Sequence, residues 1–401
     1  METISRPRKT SQRHFSTRPS ESTRFAKKRK PLPKELDSSN FIKKAIPLEE
    51  SKYEATRTIK DLPVDAAIIT NLLKKGYEFP TEIQDRSIEA IQAGRDFLGL
   101  AKTGTGKTAA FLIPIVHALL DQKPAFQVLI ISPTRELAMQ IEQEYRSLTT
   151  GLKLFSTCLI GGTSVDKDIQ RLKRPTHLII GTPGRITDMV RQRSLDLSCF
   201  SVLVLDEFDR LLDMGFSNDI QKLVGGMKNR KQTILFSATE EKGQRQLIDR
   251  LLRNPVEVKL NIGNASGDHI EQEIIQIKQG ETKMEVLLKM VRDTSFEKVL
   301  VFAETKQWVK KVCHNLRHAG IKADEIHGNK SQNYRIKALE SFKNQKIQVL
   351  VATDVAARGL DIVDVSHVIN FQQPKNLDSY IHRIGRTGRA GKSGKAYTFV
   401  N

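Results

Sequence analysis

Phe97-Leu98-Gly99-Leu100-Ala101-Lys102-Thr103-Gly104-Thr105-Gly106-Lys107-Thr108 is the stretch that decides the fold. Four apolar residues read as a short buried strand, a glycine-rich loop follows at once, and 109–120 carries a helical pattern. A strand, a glycine loop and a helix in that order gather backbone N–H groups at a helix N-terminus, where they close around phosphate. Within such a loop Lys107 reaches the β- and γ-phosphates and the Thr108 hydroxyl ligates Mg²⁺. The strict pattern wants glycine at position 101, where this chain has Ala101. A glycine-rich turn without a ligand is the competing reading.

The same texture extends outward. The runs Val128–Ile131, 178–180, Val202–Leu205 and 233–236 are each followed directly by polar residues: SPTRE, GTPGR, DEFD and SAT. Short apolar runs alternating with helical stretches imply βαβ units and a parallel sheet. Ligands bind at the carboxyl ends of such strands, so five chemistry-bearing segments fall on one edge. Asp206, at the end of a buried strand beside a phosphate loop, is a candidate metal ligand, and Glu207 a candidate for orienting the attacking water. Acids opening a helix would serve its dipole equally well. Upstream, GYEFPTEIQ (76–84) offers Gln84 to the edge of adenine and Tyr77 as a stacking face, and a helix start at Thr81 explains the same residues.

Around 253–268 the pattern lapses into turn formers, and a second series begins: 274–277, Val299–Phe302, Val349–Ala352, 368–371 and 396–400. The expected layout is a basic tail over 1–45, a first α/β domain over 46–262, a linker over 263–268 and a second α/β domain over 269–401. The second ends in a segment, 380–391, with three arginines and three glycines in twelve residues. Facing the first domain, Arg386 and Arg389 would act on the γ-phosphate as arginine fingers, with Asp354, Arg358 and Asp361 at the same cleft. A basic surface turn is the bland alternative. ATP held by both domains would pull them together, and hydrolysis would let them part.

Composition narrows the classes. The chain has 401 residues and a formal charge of +19, which favours polyanion partners, nucleic acid before anionic membrane. No apolar run approaches the roughly 18 residues of a membrane helix. Three widely spaced cysteines exclude a disulfide framework and a CxxC zinc site, and fit a reducing compartment, read as the cytoplasm. Residues 1–34 hold eleven Lys/Arg and two acids, which is +9 of the total. With only isolated apolar residues this tail is expected to be disordered. A solvated tail, loose nucleic-acid contact and an organelle-targeting segment all fit it.

Eleven motifs in order then carry a resemblance to the DEAD-box ATP-dependent RNA helicases over roughly 58–401: GYEFPTEIQ (76–84), AKTGTGKT (101–108), PTREL (133–137), GG (161–162), TPGR (182–185), DEFD (206–209), SAT (237–239), VFAET (301–305), HGNKSQNYR (327–335), ATDVAARGLDI (352–362) and HRIGRTGR (382–389). The resemblance implies two RecA-like parallel-sheet domains joined by a flexible linker. It implies an ATP hydrolase that separates short RNA duplexes or remodels RNA–protein complexes, with an ATP-gated RNA clamp as the alternative. It also implies roles. Tyr77 and Gln84 would read adenine; Ala101, Lys102, Thr103, Gly104, Thr105, Gly106, Lys107 and Thr108 would hold ATP; and Asp361 would touch ribose. Thr108 and Asp206 would hold Mg²⁺, Glu207 would position water, and Arg386 and Arg389 would be fingers. Asp209, Ser237, Thr239 and His382 would couple hydrolysis to strand separation. Pro133, Thr134, Arg135, Gly162, Thr182, Gly184 and Arg185, with Arg335, Thr353 and Asp354, would hold RNA backbone with little sequence preference. A monomer is expected. Three departures stand out. Phe208 replaces the family's alanine, Ile59 replaces an upstream aromatic, and the chain ends twelve residues after Arg389, so the second domain is expected to be trimmed.

Overall fold

Continuous apolar runs such as Val128-Leu129-Ile130-Ile131 are what strands buried on both faces require, and central strands of both sheets are built from them. The computed structural model describes residues 42, 53–102, 104–121, 127–240, 242–260, 270–357, 362, 365–388 and 394–400. The tail expected over 1–45 (Ile42 excepted), the linker expected over 263–268, and Thr103, Arg358, Asp361 and Arg389 lie outside them. The chain divides into Met1–Glu35 and Leu36–Asn401, and every described residue belongs to the second unit.

The first sheet contains β1 (Phe97–Leu100), β2 (Val128–Ile131), β3 (Ser156–Leu159), β4 (Leu178–Gly181), β5 (Val202–Leu205), β6 (Gln232–Ser237) and β7 (Val256–Lys259). Its order is β3-β4-β2-β5-β6-β1-β7 and every pairing is parallel. The second contains β8 (Ile270–Gln276), β9 (Val299–Phe302), β10 (Ala323–Ile326), β11 (Val349–Ala352), β12 (His367–Asn370) and β13 (Gly394–Val400), in the order β10-β11-β9-β12-β13-β8, again all parallel. This is the expected α/β architecture of two RecA-like sheets. Three strands without an expected counterpart, β3, β7 and β10, all sit at sheet edges.

Helices cover both faces. Alternation along β1 shows it: Phe97 joins one core, with Phe111 and Phe236, and Leu98 and Leu100 join the other, with Leu205, Phe208 and Leu235. The Phe236 ring stands 5.5 Å from that of Phe97 and 5.7 Å from that of Phe111. Gly99 is required between them, because a Cβ there would lie 2.4 Å from the Phe236 ring. The chain turns from strand to helix through short polar caps: Thr134 opens the helix Arg135–Leu148, Thr182 with Pro183 opens Pro183–Arg191, and Thr305 opens Lys306–His318. Because all strands run one way, these caps and the loops beside them collect on one edge of each sheet. No helix among the described residues is long and apolar enough to cross a membrane.

Candidate functional site

The loop after β1 is shaped by its glycines. Gly104 and Gly106 have φ of +89° and +93°, a region that glycine enters without a Cβ clash. At Gly106 a Cβ would also fall 2.5 Å from Gln84 Nε2. The helix Lys107–Asp121 begins inside the loop and half-buries Thr108 in its first turn. Lys107 is buried, and its Nζ donates to the Ala101 carbonyl at 2.8 Å. The Ala101 N–H donates to Ser237 O at 3.0 Å, so the departure from glycine at 101 is a buried methyl that the loop accommodates. Lys102 is exposed, and its carbonyl accepts from Thr105 Oγ1 at 2.9 Å.

Gln84 serves the helix start and also touches the glycine loop. Its Oε1 accepts from Thr81 N at 3.0 Å, closing a capping box on the helix Glu82–Gln92, and its Nε2 donates to the Gly106 carbonyl at 3.2 Å. It therefore stands against the glycine loop that follows β1. Tyr77 takes a different neighbourhood: burial and then the charge of Glu144 push its phenol up, and Lys75 Nζ lies 5.6 Å from the ring centroid. Among the described residues, no hydrogen bond or ring contact joins Tyr77 to the loop. Ile59 is buried in the first core, and its N–H donates to Glu78 O at 2.9 Å, so this departure is a packing position.

Two adjacent buried carboxylates are driven apart. Burial pushes Asp206 up to about 6 from an ordinary 3.8, with nearby Lys107 opposing. Burial would raise Glu207 as well, but Arg210, Lys107 and Arg386 outweigh it and hold that carboxyl below its usual range. Arg210 Nη1 lies 2.5 Å from Glu207 Oε2. The backbone is turned sharply here: Glu207 has φ +47° and ψ +54°, a left-handed conformation costing a side-chain-bearing residue about 1–2 kcal/mol. Its N–H donates to Asp206 Oδ1 at 2.9 Å. Adjacent carboxyls with opposed shifts are what division of labour between two acids requires. Among the described residues no cluster of three or more His, Cys, Asp or Glu could hold a metal. One carboxylate and one hydroxyl, Asp206 and Thr108, nevertheless suit Mg²⁺, which keeps several waters and takes phosphate oxygens as further ligands.

Asp209 ties this edge to β6. Its Oδ2 accepts from Ala238 N at 3.1 Å and from Thr239 Oγ1 at 3.3 Å, and its N–H donates to Ser237 Oγ at 3.3 Å. Phe208 between the acids is fully buried in the core and points away from them.

In the second lobe, Arg386 is buried, and its charge acts on Glu207. A small cavity is lined by Phe302, Asp354, His382, Arg383 and Arg386 among others. Arg383, which the sequence reading left without a role, is almost wholly buried and grips Asp354 through Nε at 2.6 Å and Nη2 at 2.8 Å. Its Nη1 donates to Asn370 Oδ1 at 3.0 Å and Gln372 O at 2.8 Å. Such a bidentate pair is a rigid mount for the helix Leu377–Ile384 that carries His382. Thr353, half-buried, precedes Asp354 at the end of β11.

The candidate polymer contacts on the first lobe lie close together, several of them buried and joined by hydrogen bonds. Thr134 caps its helix by accepting from Leu137 N at 3.3 Å, with Pro133 buried before it. The Arg135 guanidinium lies so close to Gly161 and Gly162 that a Cβ at Gly162 would meet it at 2.5 Å. Arg185 is buried; its Nη2 donates to Thr163 O at 2.7 Å and its Nη1 lies 3.2 Å from Asp168 Oδ2. Asp168, fully buried, also accepts from Thr163 Oγ1 at 2.9 Å. This carboxylate locks the Gly161–Gly162 turn to the helix that begins Pro183-Gly184-Arg185, where Thr182 is half-buried and Gly184 exposed. From the second lobe, Arg335 Nη2 and Gln332 Nε2 both reach Glu136 Oε1 at 2.9 Å.

The DEAD/DEAH box helicase family model matches residues 81–247, and the helicase conserved C-terminal domain model matches 282–391. The chain is 38% identical over 345 residues to the RNA helicase CrhR of Synechocystis sp., which is 86% of this chain and 70% of that protein. It is 39% identical over 342 residues to the DEAD-box ATP-dependent RNA helicase CshA of Streptococcus pneumoniae, 85% of this chain and 65% of that one. It thus spans about two thirds of the length of these curated relatives. Among solved structures it resembles Mss116p bound to ssRNA and AMP-PNP, with a TM-score of 0.77 and 30% identity, covering 90% of this chain and 77% of that one. It also resembles S. cerevisiae Dbp5 bound to RNA and ADP BeF3, with a TM-score of 0.74 and 27% identity, covering 86% and 89%.

Proposed function

The chain belongs to the DEAD-box family of RNA helicases, and from that premise we propose that it couples hydrolysis of ATP to ADP and phosphate with local separation of short RNA duplexes or remodelling of RNA–protein complexes. The observation that carries this reading is the divided pair Asp206 and Glu207 beside Lys107, with Asp209 bonded to Ser237 and Thr239. Lys107, Gly104, Gly106 and the loop N–H groups bind the phosphates, and Gln84 and Tyr77 serve the base. Glu207, kept anionic by Arg210, orients a water and takes its proton, and Arg386 and Arg389 neutralise charge developing on the γ-phosphate. Asp206 and Thr108 would hold Mg²⁺, whose charge would offset that of the phosphates and keep Asp206 ionised.

RNA backbone runs over Pro133, Thr134, Arg135, Gly162, Thr182, Gly184 and Arg185, and over Arg335, Thr353 and Asp354. Arg185, Arg335 and Asp354 spend their charges on Asp168, Glu136 and Arg383. Their part is to hold neighbouring groups in place. Coupling passes through Asp209, Ser237, Thr239 and His382. The reading includes the domain limits 46–262 and 269–401, a monomer, and a cytoplasmic location, which suits free cysteines of which Cys158 and Cys313 are buried.

The test measures ATP hydrolysis with and without single-stranded RNA, and release of a short strand from an RNA duplex. Lys107→Ala and Glu207→Gln are expected to abolish turnover; unchanged hydrolysis in both refutes the site. RNA retention dependent on nucleotide but without strand release would establish a clamp instead. Equal activation by the matched DNA strand would refute recognition through the 2′-hydroxyl.

A further inference from the structure

The helix Lys306–His318 presents an exposed face outside the motifs assigned above. Its sequence, KQWVKKVCHNLRH, holds Lys306, Lys310, Lys311 and Arg317 and no acid. Val309, Val312, Cys313 and Leu316 are buried against the sheet, which leaves the lysines, His314, His318 and Trp308 outward. Trp308 is the chain's single tryptophan and is 39% exposed. Its ring leans on Phe371, 6.1 Å between centroids, with Lys311 Nζ 5.0 Å from its own centroid. Among the described residues, the nearby acids Glu304, Asp324 and Glu325 pair with Lys375, Arg317 and Lys330, and no ion pair reaches Lys306, Lys310 or Lys311.

One exposed aromatic needs no explanation, and one lysine run is usually a solvated face. Here the two coincide, and their position matters. Trp308 sits in the first turn after β9, at the sheet edge that carries Thr353 and Asp354. Lys306 Nζ also donates to Asn329 Oδ1 at 3.4 Å, in the loop that leads into Gln332 and Arg335. A flat ring braced from one side by Phe371 and flanked by ammonium groups that no described carboxylate neutralises matches a ligand that is both anionic and rich in π-faces. A polyanion without bases would use the lysines and leave the ring idle.

We propose that this helix face is an auxiliary single-strand RNA platform, on which a base flanking the interlobe track stacks on Trp308 and adjoining phosphates meet Lys306, Lys310 and Lys311. It rests on the helicase reading and extends the RNA path beyond the residues named there. Aromatic stacking of this kind typically changes affinity by about tenfold per base on alanine substitution.

Because Trp308 is the only tryptophan, its intrinsic fluorescence reports on this face in the unaltered full chain. Titration with single-stranded RNAs of increasing length, with a non-hydrolysable ATP analogue present, should quench the emission once strands are long enough to leave the track. Heparin should not reproduce that quench. Trp308→Ala should weaken binding of the long strands about tenfold and that of the shortest far less, and Trp308→Phe should restore most of the loss. Lys310→Gln with Lys311→Gln should flatten the slope of log affinity against log salt by about 1.4. Emission unchanged at saturating RNA, while RNA still stimulates hydrolysis, overturns the platform and leaves the helicase reading intact. A quench by heparin equal to that by RNA overturns it too. RNA that neither binds nor stimulates overturns both.

Discussion

Replacing Asp206 with asparagine should make the nucleotide-free protein more stable while destroying its activity. The carboxyl is buried and titrates near 6 instead of 3.8. In the unfolded chain it ionises about two pH units earlier, so above pH 6 the folded state carries a penalty that acid relieves. At 1.36 kcal/mol per unit the penalty is about 3 kcal/mol at pH 7.5. Asparagine has nearly the same shape and keeps an oxygen to accept from the Glu207 N–H. Asp206→Asn should therefore recover about 3 kcal/mol at pH 7.5, a rise on the order of 6–12 °C in the unfolding midpoint of a lobe of this size. At pH 5 both protein forms are nearly neutral at this position, the unfolded wild type is still ionised, and about half the gain should remain. Below 3.8 it should vanish. Thermal or urea denaturation of both proteins without nucleotide, at pH 7.5 and pH 5, measures it. A variant no more stable than wild type at pH 7.5, or a gain that does not shrink on acidification, refutes the burial argument.

Phe208→Ala restores the family's residue but empties a fully buried site, so it should cost about 3–5 kcal/mol in urea unfolding and leave nucleotide affinity at low temperature close to wild type. Asp168→Asn removes one partner of a buried ion pair with Arg185. It should destabilise the first lobe by about 3–5 kcal/mol and raise severalfold the RNA concentration that half-stimulates hydrolysis, with ATP affinity held; parallel losses of RNA and ATP affinity would contradict its placement.

The interior strands could be read directly because a strand flanked on both sides and covered on both faces must be apolar throughout, as in Val202-Leu203-Val204-Leu205. The edges could not. Ser156–Leu159, Val256–Lys259 and Ala323–Ile326 mix charged or polar residues with apolar ones, since an edge faces solvent and discourages further pairing. The glycine loop after β1 and the acids after β5 were legible because their residues are adjacent in sequence. Gln84 was half legible: the helix cap and the contact with Gly106 coexist, and no pattern of residues says so. The ion pairs Asp168 with Arg185, Glu136 with Arg335 and Asp354 with Arg383 were invisible, because each joins segments that only the folded chain brings together. That is why the sequence offered Arg185, Arg335 and Asp354 as polymer contacts and said nothing of the bracing ion pairs they also make.

The place of β1 in its sheet also bears on how the molecule is made. Its described neighbours are β6 and β7 alone, and about 130 residues separate Leu100 from Gln232. At roughly 5–20 residues per second on the ribosome, the apolar edges of Phe97–Leu100 wait on the order of ten seconds for a partner. The nucleotide loop cannot take its final shape until then. Newly made chains should bind ATP late, and chaperones should meet them with this strand still unsheltered.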